Sequence, residues 1–337
     1  MTTTQDDILS RYGAGLDRAQ RQLLSRHGER YARYRRDYEA AGAFAYEPDF
    51  PLYIMLEQSY RCNLGCPSCI HGLPDVKRRF DTDGGVMSRE LFERIVIEGE
   101  RNSCPSMAFH VNDEPLLVKD LPERVAFAAA HGFMDLFVTT NGLLLDEQLM
   151  RRLVESGLTR ILFSVDAATE KTYEKVRPGG DFSKVLANIR CLKEYKREHE
   201  LVLPATRASF VATSLNAHEQ DLFVETFSDL VDYVEVQGYS TYYDYNHDLV
   251  PAGAHRLDDF TCNEPWRKLI VRANGDVLPC CSFYGYEIPL GNVYEHSLRE
   301  IFNGPLCSRL RSDLRRGVYS LAACRACAGS FHTLSEA

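Results

Sequence analysis

Residues 52–72 read LYIMLEQSYRCNLGCPSCIHG. The short apolar run LYIML, 52–56, has the length and residue types of a β-strand. Cys62, Cys66 and Cys69 follow it directly, at C-x3-C-x2-C. Thiolates are the natural ligands of iron–sulfur clusters, and three of them on a four-iron cube leave one iron open to a small chelating molecule. The alternative is a structural zinc site, which wants a fourth ligand. His71, in C-x2-C-x-H, stands where it could supply one.

Downstream of this loop, strand-like and helix-like runs alternate. MSRELFERIVIEGE, 87–100, is an amphipathic helix with Ser88 as its N-cap, and SMAFHV, 106–111, is a strand. LPERVAFAAAHG is a helix closed by Gly132, DLFVTTNG, 135–142, a strand and turn, and LDEQLMRRLVESG a helix. ILFSVD, 161–166, TRASFVATS, 206–214, and VDYVEVQ, 231–237, are strands, with the long helix FSKVLANIRCLKEYKREHE after the first of them. Repeated βα units imply parallel strands with helices outside. Six units are countable, which predicts an α/β fold: a partial (β/α)6 barrel, short of the eight units of a closed one.

The triplet after a first strand resembles the radical S-adenosylmethionine (SAM) superfamily. The resemblance implies that the open iron takes the amino and carboxylate groups of SAM. It also implies that an electron from the reduced cluster releases a 5′-deoxyadenosyl radical, the protein supplying orientation and shelter. The likeness runs over most of residues 52–240. Where the family has Gly-Gly-Glu-Pro after its second strand, to bind the methionine amino group, this chain has Asn112-Asp113-Glu114-Pro115. Asn112, Asp113 and Glu114 are therefore cofactor-binding candidates; the alternative is a strand-end turn with acidic residues in solvent. Asn141, at the third strand end, is similarly placed. In SVDAATEKTYEKVRPGG, Ser164 matches a residue that meets the ribose or the methionine carboxylate, and Arg177 one that meets the carboxylate; an ordinary cap and a surface ion pair are the alternatives. The family's aromatic residue before the third cysteine is replaced by Ser68, so stacking on the adenine from there is lost or replaced.

A second cysteine group, Cys262, Cys280, Cys324 and Cys327, reads C-x17-C…C-x2-C, and KLIVRANGDVLPCC reads as a β-hairpin turning at Asn274-Gly275. With Cys262-Asn263-Glu264-Pro265-Trp266 and PLGNV, 289–293, it resembles the SPASM extension of the same superfamily in its short form, one auxiliary 4Fe–4S cluster saturated by four thiolates. A zinc ribbon is the alternative. In radical epimerases of the superfamily a cysteine near the auxiliary cluster gives a hydrogen atom to the substrate radical from the opposite face. Cys281, next to Cys280, is the candidate for that role, packing being the alternative. Cys104 and Cys191 read as core or helix positions and Cys307 as a structural helix residue.

The expected organisation is a helical surface extension over residues 1–48, with Arg33, Arg35 and Arg36 on a solvated face, and a barrel over 49–239. A linker follows over 240–261, then a small cysteine-rich α+β iron–sulfur domain over 262–337. STYYDYNHD, 240–248, is either cavity lining or surface linker. Net charge is −9 without a basic stripe, which argues against a nucleic-acid partner. No apolar run approaches the roughly 20 residues that span a bilayer, and the N-terminus lacks the apolar stretch of a secretory signal, so a cytoplasmic location is expected. In that reducing compartment eleven cysteines suit metal binding rather than disulfides.

The resemblance implies two 4Fe–4S clusters, SAM, and a flavodoxin- or ferredoxin-type electron donor; the charges of Lys77, Arg78 and Arg79 would steer its docking, solvated surface charge being the preferred alternative. The substrate it implies is a sugar, aminocyclitol or nucleoside of a natural-product pathway, epimerised or dehydrogenated. Other members act on ribosomally made peptides, and a non-catalytic zinc or iron–sulfur protein is the rival of another class.

Overall fold

A computed structural model describes residues 9–81 and 85–334. The chain starts with β1 (Leu9–Tyr12), α1 (Gly15–His27) and α2 (Glu29–Gly42). It then alternates β2 (Tyr53–Glu57), α3 (Pro74–Arg79), α4 (Arg89–Arg101), β3 (Ser106–Ala108), α5 (Leu121–Ala130), β4 (Asp135–Thr140), α6 (Glu147–Glu155), β5 (Arg160–Ser164), α7 (Glu170–Val176), α8 (Phe182–Glu198), β6 (Ala205–Val211), α9 (Gln220–Ser228) and β7 (Tyr233–Gln237). Strands β2 to β7 pair in sequence order and all in parallel. The sheet does not close on itself, as a partial (β/α)6 barrel requires. Ser88 caps α4 by accepting from Leu91 N–H at 3.1 Å, as its position in the sequence predicts.

Alternation along the strands divides the barrel into two faces. Ile54, Leu56, Met107, Leu136, Val138, Ile161, Phe163, Phe210 and Val234 join one core with Phe92, Ile95, Val125, Leu153, Val185 and Phe223 of the surrounding helices. Their neighbours along each strand form the inner face, where Tyr53, Met55 and Ala108 meet Ile270. The inner face also carries charge: Arg160 pairs with Asp135 at 2.6 Å, and Arg207 with Glu235.

Two expectations need correction. Residues 9–48 are not a surface extension; residues 1–8 lie outside the described residues. β1 pairs antiparallel with β7, and α2 buries Tyr31 and Tyr34. Tyr34 hydroxyl donates to Asp135 inside the barrel at 3.4 Å, and the rings of Tyr31, Tyr34, Tyr38 and Tyr53 follow one another at about 6 Å. A tyrosine stripe at i, i+3, i+7 buries a helix face while contributing little to an apolar count. Arg33 and Arg36 do face solvent, but Arg35 lies over Tyr34 and Tyr38.

The second correction concerns 240–261, which is not a plain linker. It holds β8 (Tyr239–Ser240) and β9 (Ala254–Arg256). Both pair antiparallel with β13 (Phe331–Leu334) at the other end of the region, so no local pattern reveals them. Between these strands lie α10 (Glu264–Arg267), β10 (Lys268–Arg272), β11 (Asp276–Leu278), β12 (Gly291–Asn292), α11 (Leu298–Phe302), α12 (Pro305–Arg315) and α13 (Ala322–Ala328). The β10–β11 hairpin turns at Asn274-Gly275, where Gly275 takes φ +87°. β10 runs parallel to β2, Lys268 opposite Tyr53, so the cysteine-rich region continues the barrel sheet instead of standing apart from it. Among the described residues no helix is long and apolar enough to cross a membrane.

His110, just after β3, is half-buried against Phe137, and its Nδ1 accepts from Thr139 N–H at 3.0 Å. Burial first, then the charges of Arg207, Arg160 and Lys268, push it down to about 3 from 6.5. The fold refuses a proton that the unfolded chain accepts, so this contribution to stability is lost as pH falls from 6.5 toward 3. The expected loss is about 2 kcal/mol at pH 5. Melting of wild type and His110→Asn at pH 7.5 and pH 5 checks it: the variant should lose less on acidification, and equal losses would count against it.

Candidate active site

The loop after β2 turns tightly enough to gather the three thiols. Cys69 N–H donates to the Cys66 carbonyl at 3.0 Å, and Gly72 N–H to the Cys69 carbonyl at 2.9 Å. A Cβ on Gly72 would stand 2.2 Å from the Cys66 carbonyl oxygen, so only glycine fits. Burial is the main cause that pushes the Cys62 thiol up to about 11 and Cys69 to about 12, and each feels the charge of the other members of the triplet. Such thiols ionise only with a positive partner, which an iron–sulfur core provides. The triplet fits that group.

The strand ends around this loop are held by carboxylates. Asp113 is half-buried and accepts from the N–H groups of Gln58, Ser59 and Val111 at 2.9–3.1 Å. Glu114 accepts from Thr140 hydroxyl, Asn141 N–H and Leu116 N–H at 2.7–3.0 Å. The acids therefore do not lie in solvent; they tie the ends of β2, β3 and β4 together, leaving backbone atoms to face a ligand. Asn112 sends its amide to Tyr286 hydroxyl at 3.0 Å. Its carbonyl lies 2.5 Å from His71 Nε2, which must carry the proton there. That ring nitrogen is not available as a fourth metal ligand beside the triplet.

Asn141 donates to Asn63 at 2.8 Å, 4.0 Å from Cys62 Sγ. Ser164 is half-buried at the end of β5. Arg177 is no surface ion pair: it is buried, bonded to Asp166 at 2.5 Å and to the Val165 carbonyl at 3.2 Å, and lies 3.7 Å from Cys66 Sγ.

The second group of thiols converges as its spacing suggests. Cys262 feels the charges of Cys327 and Cys324, and Cys280 those of Cys327 and Cys262, while burial pushes all four thiols up. Gly285 passes so close that a Cβ would lie 2.9 Å from Cys280 Sγ. Among the described residues no group of His, Cys, Asp or Glu is drawn together around a single metal ion.

Cys281 points elsewhere. Its sulfur accepts from Lys268 Nζ at 3.4 Å and lies 4.0 Å from Glu264 Oε2, while Lys268 and Glu264 pair with each other. All three line a cavity of about 450 Å³ between the two cysteine groups. Ser68 and Asn112 bound it on the triplet side, Gln237, Ser240 and Thr241 on the β7–β8 side, and Tyr38 and Tyr53 below. The 240–248 segment thus divides. Ser240 and Thr241 line this cavity, but Tyr242, Tyr243 and Tyr245 line a separate cleft with Arg79 and Glu287, where Glu287 accepts from both Tyr242 and Tyr243. Cys104 and Cys307 are buried and Cys191 half-buried, all outside both groups.

Sequence reasoning missed Tyr38, Tyr53, Glu264 and Lys268. The i, i+4 spacing of Glu264 and Lys268 beside Cys262 was the available signal.

Comparison with known proteins agrees with this geometry. Residues 56–205 match the family model of the radical SAM superfamily, and residues 262–328 that of the SPASM iron–sulfur cluster-binding domain. The chain carries a radical SAM domain followed by a SPASM domain. Its first domain implies a 4Fe–4S cluster and SAM, and the SPASM domain implies auxiliary clusters, which the two thiol groups fit. This radical SAM chain is 35% identical over 140 residues to the GTP 3′,8-cyclase of Lactiplantibacillus plantarum, covering 41% of itself and 40% of that protein. It spans about two fifths of the length of the curated relatives it matches. Among solved structures it resembles Streptococcus suis SuiB bound to SAM, with TM-score 0.60, 18% identity and coverage of 84% and 73% of the two chains. It also resembles BtrN in complex with AdoMet and 2-DOIA, with TM-score 0.50, 17% identity and coverage of 80% and 89%. At these identities the structures show a shared fold.

Proposed function

We propose that this radical SAM protein is an oxidoreductase or epimerase of natural-product biosynthesis in the cytoplasm. Its substrate is a carbohydrate-like small molecule, a sugar, aminocyclitol or nucleoside, which loses hydrogen from an unactivated C–H bond. The observation that carries this reading is the Cys281 thiol on the wall of a cavity of small-ligand size, facing Lys268 and Glu264. Cys62, Cys66 and Cys69 hold the first cluster, and Cys262, Cys280, Cys324 and Cys327 the auxiliary one. The backbone of Asn112, Asp113 and Glu114, with Asn141 and Ser164, surrounds SAM.

Bound together, the first cluster and SAM supply a radical able to take hydrogen from such a bond. The chain's own residues select and position the molecule that meets it. Burial opposes the Lys268 charge, but pairing with Glu264, by charge and by a hydrogen bond, helps hold the ammonium well above the usual lysine range. Lys268 therefore donates to a substrate oxygen, while Glu264 accepts from a hydroxyl, a pairing that suits a polyol. Tyr38 and Tyr53 give flat faces for a ring. Cys281 gives its sulfur-bound hydrogen to the substrate carbon from the face away from SAM, which inverts that centre. Ser68 and Asn112 mark the SAM side of the same cavity.

The electron donor is of flavodoxin or ferredoxin type. Its docking patch is narrower than the three cations suggest, because Arg78 pairs with Asp75 and Arg79 lies 3.6 Å from Glu287.

A ribosomally made peptide is the second reading, since SuiB was also solved bound to the precursor peptide SuiA. Reduced protein with SAM and panels of sugars, aminocyclitols, nucleosides and peptides separates the two. Substrate-dependent 5′-deoxyadenosine with a small-molecule panel is the expected result; turnover confined to peptides would overturn it.

A further inference from the structure

Arg177 ends α7, and all three of its guanidinium nitrogens are engaged. One donates to the Val165 carbonyl, one to Asp166, and the third reaches Cys66 Sγ at 3.7 Å, within hydrogen-bonding range for sulfur. The side chain is buried, so its charge is poorly screened. Its anchor is itself fixed. Asp166 has φ +60°, in the left-handed region that non-glycine residues rarely take. Val211 N–H donates to the Asp166 carboxylate at 2.8 Å, and Asn216 donates to its carbonyl at 2.7 Å. The end of β6 thus aims Asp166, and Asp166 aims Arg177 at the thiol.

Among the described residues no other cation is hydrogen-bonded to the triplet. Cys62 meets only amides, Asn63 and Asn141, each at 4.0 Å. Arg177 is the cation whose charge reaches all three thiols of the triplet.

We propose that Arg177 is a positioning residue of the first cluster, which donates an N–H···S hydrogen bond to the Cys66 thiolate and raises the reduction potential of that cluster. The proposal rests on the reading that the triplet holds a cluster. Reduction by a flavodoxin-type donor adds one electron, and hence one negative charge, to an already anionic centre, and breaks no bond. A buried guanidinium against one ligand favours the reduced, more negative state. Hydrogen bonds to ligand sulfurs and local charge are the protein's means of setting such potentials. Here the cation is held by Asp166 and Val165 of the chain itself, so it acts on the cluster before SAM enters. This differs from contact with the SAM carboxylate, which would act only once SAM is bound.

The test is a potentiometric titration of the anaerobically reconstituted full chain, followed by electron paramagnetic resonance without SAM. Adding SAM at the end identifies the first cluster, because its signal responds. Arg177→Met, which removes charge and donors, should leave at least tenfold less reduced first cluster at a fixed potential, a shift of about 59 mV to more negative values for one electron. Arg177→Lys, which keeps the charge, should recover part of that shift. If Arg177→Met fails to hold iron, Arg177→Gln against Arg177→Lys makes the same comparison, Gln shifting and Lys recovering. Equal midpoints in wild type and the charge-removing variant, at equal iron content, would overturn the proposal. So would an effect seen only after SAM is added, which would assign Arg177 to SAM. A wild type without any SAM-responsive signal would instead overturn the cluster reading, and this inference with it.

Discussion

Replacing Cys62, Cys66 and Cys69 together by alanine is expected to remove all 5′-deoxyadenosine formation and about four irons per chain, while leaving about four on the auxiliary thiols. Replacing Cys324 and Cys327 should remove the complementary four and leave SAM cleavage without product. The asymmetry follows from the two environments. The triplet offers three thiols on one tight loop beside strand ends tied by Asp113 and Glu114. The second group offers four thiols around a hairpin and α13. Iron analysis with chromatography of the nucleoside product checks both. Undiminished cleavage by the triple variant would rule out the assignment of the triplet.

Cys281→Ala should cleave SAM at a rate near wild type yet yield no inverted product, with at least a hundredfold loss of epimerisation. The donor of a hydrogen atom must lie at the substrate and hold its hydrogen weakly; a thiol on the cavity wall meets both conditions. Thiols exchange with water, so the wild-type product formed in deuterium oxide should carry deuterium at one carbon, and the variant's should not. Cys281→Ser is the control for packing, since it keeps the size of the side chain but replaces the weak S–H bond by a strong O–H bond. Mass spectrometry of the product reads the result. Absence of deuterium from the wild-type product, with normal turnover by Cys281→Ala, would favour dehydrogenation over epimerisation.

What the sequence made legible follows from which faces the residues cover. The outward residues of β2 to β7 are nearly all apolar and sit against amphipathic helices, so strand and helix alternation reads directly. The inward residues include Asp135, Arg160, Arg207 and Glu235, which pair only across strands distant in sequence, and no local pattern announces them. The same holds for α2: Tyr31, Tyr34 and Tyr38 are buried through a barrel interior that assembles only when the strands do. β8 and β9 escape local reading because their partner β13 lies at the far end of the chain. Cysteine spacing carried the two thiol groups, since ligands on one loop are close in sequence. Around the SAM site, Asn112, Asp113, Glu114 and Asn141 were identifiable by position. Their hydrogen bonds to Tyr286, to the end of β2 and to Thr140 were not, because those partners come from three separate segments. The difference between Cys280 and Cys281 likewise needed three dimensions: Cys280 feels the charges of Cys327 and Cys262, while Cys281 accepts from Lys268, which stands on the neighbouring strand.

The central claim is that this chain uses the triplet to split SAM reductively. Its most direct test is to reconstitute the wild-type chain anaerobically to about eight irons, reduce it, add SAM alone, and quantify methionine and 5′-deoxyadenosine. The account predicts both products, in equal amounts and only after reduction; intact SAM in a reduced, fully iron-loaded protein would contradict it.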